Sequence, residues 1–243
     1  MEVAEGIQRL TRGVVNFYLL HEGGKLTVVD AGAPRDWSLL VRAVSGLGRR
    51  LDDIEVVLLT HAHSDHVGFA ERARATTGAT VWVHQADAAR ARGEKGPKRD
   101  GKATAYLLRP AFYRTVASLV LRGAGRIIPV EEVSGFGDGE TLDVPGRPRA
   151  ILAPGHTAGT CALLLEARRT LLTGDVIETW NPLTGRLGPQ ISPSGFNDDT
   201  QEALRSLDLV EGVQADLLLP GHGEPWRGSP AEAVRLARAA GPS

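Results

Sequence analysis

The chain is expected to be an α/β protein in which two mixed β-sheets pack together with helices outside. Three features point to that class. Short apolar runs alternate with amphipathic stretches along nearly the whole length. The first two long runs are separated by "HEGG", a hairpin signal, so antiparallel pairs are mixed in. The run "IEVVLLT" (54–60) is continuously apolar, as a strand buried on both faces is.

The elements follow in order. "VVNFYLL" (14–20) and "KLTVVD" (25–30) are the two strands of the hairpin, and "DWSLLVRAVSGLG" (36–48) carries helical apolar spacing up to Gly48. After the strand at 54–60, "SDHVGFAERARATTG" (64–78) is expected to form one helix, with Ser64 or Asp65 able to cap it. "TVWVH" (80–84), "RAILA" (149–153), "TCALLLEA" (160–167) and "TLLTGD" (170–175) are further strands. "DDTQEALRSLDLV" (198–210) is a helix, "DLLLP" (216–220) a strand, and "SPAEAVRLARAAG" (229–241) a last helix with Pro230 suited to its first turn.

One stretch breaks this rhythm. Residues 85–126 hold ten lysines and arginines against three acids, a net charge of +7 in a chain whose total is −1. "RARGEKGPKRDGK" is polar and interrupted by Gly and Pro, which suits a mobile loop; "ATAYLLRPAFYRTVASLVLR" is apolar and helical with a break or kink expected near Pro110. The expectation is a single domain over residues 1–243 with a basic loop-plus-helix insertion at about 85–126. Residues 99–122 are expected either to wall the pocket as a lid or to form a homodimer interface.

Composition narrows the classes. The chain has 243 residues with 28 basic and 29 acidic side chains, so it can bury a sizeable core and is neither a disordered chain nor an obvious polyanion binder. Its one cysteine, Cys161, excludes an internal disulfide framework and is expected to be a small buried core residue. The start lacks the pattern of a signal peptide and no apolar stretch is long enough to span a bilayer, so the expected location is the cytoplasm.

The chemistry gathers in "LLTHAHSDHVG" (58–68), where three of the seven histidines fall within six positions. His61 and His63 are two apart, so in an extended segment they point the same way and can share one metal ion. Asp65 and His66 follow at the helix start and can serve a second ion. Distant donors come from "APGHTAGT" (His156), "LLTGDV" (Asp175) and "LLLPGHGEP" (His222), each at the C-terminal end of an apolar strand beside Gly or Pro. His21, in the hairpin turn, is expected to be solvated, and His84 to cap or lie at the surface.

With Asp30 in "VVDAG", "HAHSDH", "GHTAGT", "TGD" and "GHG" in this order, the chain resembles the metallo-β-lactamase-fold hydrolase superfamily. The resemblance implies a four-layer αβ/βα sandwich with a metal cleft along one edge of the paired sheets. It implies one ion on His61, His63 and His156, a second on Asp65, His66 and His222, and Asp175 bridging them. Asp30 would orient a ligand or the loop from behind. True β-lactamases of the cysteine type carry cysteine near the position of Asp175, so the resemblance points to the glyoxalase II-like and lactonase-like branch. The helical glutathione-binding domain of the glyoxalase II-like members is not expected here.

The expected cofactors are two divalent ions, zinc first, with manganese, iron or cobalt competing. The expected activity is a dinuclear metal-dependent hydrolase. It would use a metal-bound hydroxide to cleave an ester, lactone or thioester of a small molecule, with Asp65 orienting the nucleophile and passing a proton to the leaving group. Tyr106, Phe112, Tyr113, Trp180 and Phe196 are candidate pocket residues, with ordinary packing as the competing role. Nucleic acid is not expected as a partner. The alternatives are a phosphodiesterase, an iron-dependent persulfide dioxygenase, or a metal-dependent scaffold.

Overall fold

The computed structural model describes residues 1–101 and 103–243. The first sheet holds β1 (Glu2–Ala4), β2 (Ile7–Arg12), β3 (Val15–Glu22), β4 (Lys25–Val29), β5 (Ile54–Leu58), β6 (Thr80–His84) and β7 (Ser134–Phe136), side by side in chain order. Pairing is antiparallel from β1 to β4 and parallel from β4 to β7. The later strands are β8 (Arg149–Leu152), β9 (Cys161–Leu165), β10 (Thr170–Gly174), β11 (Glu178–Trp180), β12 (Leu187–Gln190), β13 (Leu217–Pro220) and β14 (Trp226–Arg227). The second sheet has the order β14-β13-β10-β9-β8, and β11 and β12 form a separate ribbon.

The helices are α1 (Trp37–Gly46), α2 (Ser64–Val67), α3 (Ala70–Thr77), α4 (Ala88–Ala91), α5 (Pro110–Arg122), α6 (Thr200–Glu211) and α7 (Pro230–Ala240). Strand alternation sorts the apolar residues into three cores. Phe17, Leu19 and Val57 pack against Trp37, Leu40 and Val44 of α1 and Ala70 and Ala73 of α3. Tyr18, Leu20 and Leu58 turn the other way, onto Leu163, Leu165, Leu172 and Leu219 of the second sheet. Leu164, Leu171 and Leu218 face outward onto Ala203 and Leu207 of α6 and Ala233 and Val234 of α7. Helix, sheet, sheet, helix is the expected four-layer αβ/βα sandwich. Among the described residues no helix is long and apolar enough to cross a membrane.

Three local expectations are corrected. The stretch 64–78 is two helices, because the Phe69 amide donates to the Ala31 carbonyl and the chain at Gly68 presses against Gly32: a Cβ there would lie 2.0 Å from the Gly32 oxygen. Neither Ser64 nor Asp65 caps this helix; His63 holds the cap position without a side-chain bond, and Ser64 Oγ donates to the Ala124 carbonyl at 2.7 Å. The break expected near Pro110 is present: Pro110 begins α5, where its missing N–H costs nothing. His21 is not in the turn but pairs within β3, opposite Leu26. The short strands β1, β2, β7, β11, β12 and β14 add to those read from the sequence. Cys161 is fully buried, and burial raises its thiol pKa.

Candidate metal centre

The strand directions gather the donors. β4 and β5 are parallel, and in the second sheet β8 runs the same way as β10 and β13 because each of β8 and β10 is antiparallel to β9. The turns after the C-terminal ends of β4, β5, β8, β10 and β13 therefore meet at one edge, and carry Asp30, His61, His156, Asp175 and His222. Gly221 makes the approach possible: a Cβ there would lie 2.1 Å from Asp175 Oδ1 and 2.8 Å from His66 Cε1.

Besides His61–His66–Asp175 and Asp175–Glu178–His222, two triads of donor atoms lie within metal-sharing reach: His61, His63 and His156, and Asp65, His66 and His222. Asp175 Oδ2 stands between them, 3.2 Å from His156 Nε2, 3.3 Å from His222 Nε2, 3.5 Å from His66 Nε2 and 3.8 Å from His61 Nε2. His63 turns its Nδ1 inward, 2.8 Å from His156 Nε2. All of these except Asp65 are buried; Asp65, with 15% of its side chain exposed, stands at the mouth.

Hydrogen bonds from behind set which nitrogen faces the centre. Asp30 accepts from His66 Nδ1 at 2.8 Å, from the Thr60 amide at 2.8 Å and from Thr60 Oγ1 at 2.9 Å. Thr60 Oγ1 then meets His61 Nδ1 at 3.1 Å. His156 Nδ1 donates to Asn197 Oδ1 at 2.9 Å, and Asn197 is tied to the Ser192 carbonyl. His222 Nδ1 donates to the Val14 carbonyl at 2.6 Å. With Nδ1 protonated, Nε2 of His61, His66, His156 and His222 is left as a lone-pair donor. His66 Nε2 and Asp175 Oδ1 are buried with no hydrogen-bond partner, which is costly in a closed protein and fits residues built to hold a cation.

The electrostatics agree with that fit. Burial, then the charge of His66, hold His61 well below the ordinary imidazole range; burial, then His156, do the same to His63. Burial also opposes charge on His66 and His222, but Asp175 outweighs it, lifting His222 well above that range and, with Asp30, His66 to about 9. Burial would raise Asp175, yet His222 and His66 hold it well below the carboxylate range. In effect the protons of two histidines balance the carboxylates, a balance that divalent ions would take over.

Several residues of this centre carry no signal in the sequence. Asp87 accepts from the Ala62 amide (2.7 Å), Thr157 Oγ1 (2.7 Å) and the Gly159 amide (3.0 Å), so it ties the loop of His61 to the loop of His156. Glu178 is fully buried beside Asp175 and His222; its Oε1 accepts from Ser192 Oγ, its Oε2 has no partner, and burial and then Asp175 push its pKa up to about 8. Thr60 had a weak signal, as the residue just before His61. His84 is buried and caps the turn after β6 by accepting from the Ala86 amide.

Among the candidate pocket residues, Phe196 lines the small cavity over the donors, with Arg99 and Leu119. The others do not line it. Tyr106 is buried with its hydroxyl on Ser194 and Ser243, Phe112 packs edge-on against Tyr113, and Tyr113 is 56% exposed. Trp180 lies under Arg114 in a separate cavity of about 520 Å³. The periodicity of α5 explains the difference. Thr115, Leu119 and Arg122 share its inner face: Thr115 Oγ1 donates to the Pro182 carbonyl and Arg122 pairs with Asp36 at 2.7 Å. Tyr113, Val116, Val120 and Leu121 are on the outer, exposed face.

The sequence profile of the metallo-β-lactamase superfamily matches residues 10–222. The chain is 30% identical over 230 residues to the uncharacterized protein YobT of Bacillus subtilis, covering 92% of this chain and 88% of that one. It is 25% identical over 240 residues to the probable metallo-hydrolase YflN of the same organism, covering 93% and 87%. A solved metallo-β-lactamase family protein of Thermus thermophilus shares the fold at TM-score 0.70 and 24% identity, over 98% of this chain and 80% of that one. The chain belongs to the metallo-β-lactamase superfamily.

Proposed function

We propose that this member of the superfamily is a dinuclear metal-dependent hydrolase that cleaves an ester, thioester or lactone of a small molecule. One observation carries the reading: four histidines tied back through Nδ1 aim Nε2 at a shared carboxylate, leaving His66 Nε2 and Asp175 Oδ1 unpartnered in a buried site. His61 Nε2, His63 Nδ1 and His156 Nε2 would hold one ion, Asp65, His66 and His222 the other, and Asp175 would serve both. Nitrogen and oxygen donors suit zinc, with manganese, iron and cobalt as competitors. Such a pair of ions supplies an acidified water near neutral pH and polarises a carbonyl.

The chain's own residues do the rest. Asp65, at the mouth, orients the attacking water and carries a proton to the leaving oxygen or sulfur. Asp30 and Thr60 hold His66 and His61 in the ligating tautomer. Leu119 and Phe196 exclude bulk water above the centre. Metal analysis of the purified protein, joined to a panel of ester, lactone, thioester and phosphodiester substrates, tests this. Two ions per chain with acyl cleavage is the expected result. A fully loaded protein that holds one ion, or cleaves only the phosphodiester, or consumes oxygen instead, overturns it.

A further inference from the structure

The reaction just proposed leaves open what part of the substrate lies away from the metals. Beside the donors, on the outer side of His63, lies a second cavity of about 440 Å³, inside the range of roughly 300–1,000 Å³ typical of small-molecule sites. His63 and Arg99 line both this cavity and the small one over the donors, so the two adjoin. Its walls come largely from the basic insertion: Arg90, Lys95, Arg99 and Arg126 against Glu94 and Asp198.

The charges there are unequal in kind. Arg90 is already neutralised: its Nη2 donates to Asp198 Oδ2 at 2.6 Å, and both side chains are nearly buried. Arg99 is different. Its guanidinium lies over the Phe196 ring at 5.3 Å and reaches the Gly195 carbonyl at 3.4 Å, but among the described residues it forms no ion pair. The residue is exposed overall, and burial lowers its pKa against the opposing pull of Asp65 and Asp198. Lys95 and Arg126 stand at the exposed rim and likewise form no ion pair among the described residues. A guanidinium held over a ring without an ion pair keeps N–H donors free to meet an anion.

We infer that this cavity binds an anionic group of the substrate, a carboxylate or a phosphate, through Arg99, with Arg126 and Lys95 at its rim, while the scissile carbonyl lies at the metal edge past His63. This rests on the acyl-hydrolase reading above. It gives a use to the part of the insertion's charge that lines this cavity without an ion pair, Lys95, Arg99 and Arg126, placed where it draws an anion toward the metals.

The test compares p-nitrophenyl butyrate with mono-p-nitrophenyl glutarate, which differ by a terminal carboxylate. The wild-type protein should prefer the glutarate ester in kcat/KM, and Arg99→Gln and Arg126→Gln should each reduce that preference about tenfold, the size expected for a hydrogen bond to a charged group. Calorimetry of glutarate and inorganic phosphate on the metal-loaded protein then decides the site without turnover. Weaker binding in both variants supports it, and the tighter of the two anions in the wild type identifies the group. If both esters are inert the hydrolase reading fails, and calorimetry alone decides this one. No preference in the wild type, a preference unchanged in Arg99→Gln, or anion binding equal in wild type and both variants overturns the inference.

Discussion

The edge that carries the histidines and the segment that covers it are built on opposite terms. At the edge, every donor but Asp65 is buried and each histidine has its back nitrogen bonded, to Asp30, Thr60, Asn197 or Val14 and, for His63, to Arg90 at 3.4 Å. The cover, residues 92–122, is fastened at a few points: Asp100 accepts from the Thr200 amide, Thr115 bonds Pro182, and Arg122 pairs with Asp36. Between these it exposes Leu108, Tyr113, Val120 and Leu121. A preorganised donor set needs bonds that fix each ring, whereas a wall that selects among substrates needs only a few inner residues in place. On the proposed reading, reaction type is a property of the edge, and choice of substrate a property of the cover.

Perturbing the edge should cost most. Asp175→Ala removes the carboxylate shared by both triads, so it should abolish measurable turnover and reduce the second-site metal content found by elemental analysis. Asp30→Asn keeps the shape but no longer accepts from both Thr60 and His66 as a charged group. It should lower metal affinity or activity by about 10–100-fold, measured by chelator competition. An Asp30→Asn protein with wild-type affinity would mean that the bonds behind the rings do not organise the site.

The metal-stripped protein offers a test by pH. In the fold His66 holds its proton to about 9 and Glu178 to about 8, above their ordinary values of 6.5 and 4.5. The folded state then binds the extra protons, and stability falls as pH rises through that range. His61 and His63 are held well below 6.5, so below that pH the unfolded chain binds the extra protons and stability falls again. Thermal melts in excess chelator should therefore peak at about pH 6 and decline from there toward pH 9, and metal should flatten the profile by replacing the protons. A melting temperature still rising above pH 9 contradicts this.

The cover should respond more mildly and by face. Leu119→Ala, on the inner face, should raise KM several-fold or change acyl preference. Leu121→Ser, on the outer face, should leave kinetics alone and change stability by less than about 0.5 kcal/mol. If instead Leu121→Ser alters turnover or oligomeric size in sizing experiments, the outer face is an interface and the division between edge and cover is too simple.

Much of this was legible in the residues. The strands at 54–60 and 160–175 show as apolar runs, and donors at strand ends beside glycine or proline stand out because imidazoles and carboxylates are rare there. Asp87 and Glu178 were not legible: each is one acid in an ordinary stretch, and only burial beside particular partners distinguishes it. The pocket aromatics were read from hydrophobicity, which cannot tell the inner from the outer face of α5; that depends on what the helix lies against. Leu119 was missed for the same reason.

What the sequence determined by itself is the class of fold and the placement of seven candidate donors after strands, because period-two patterning and scarce residue types are local properties. The tertiary structure alone decided which nitrogen of each ring faces inward, that Asp175 Oδ2 stands between the two triads, and that one arginine of residues 85–126 stands over Phe196 without an ion pair among the described residues. Those depend on contacts between segments as distant as Val14 and His222 or His63 and His156, which come together only when the two sheets pack face to face.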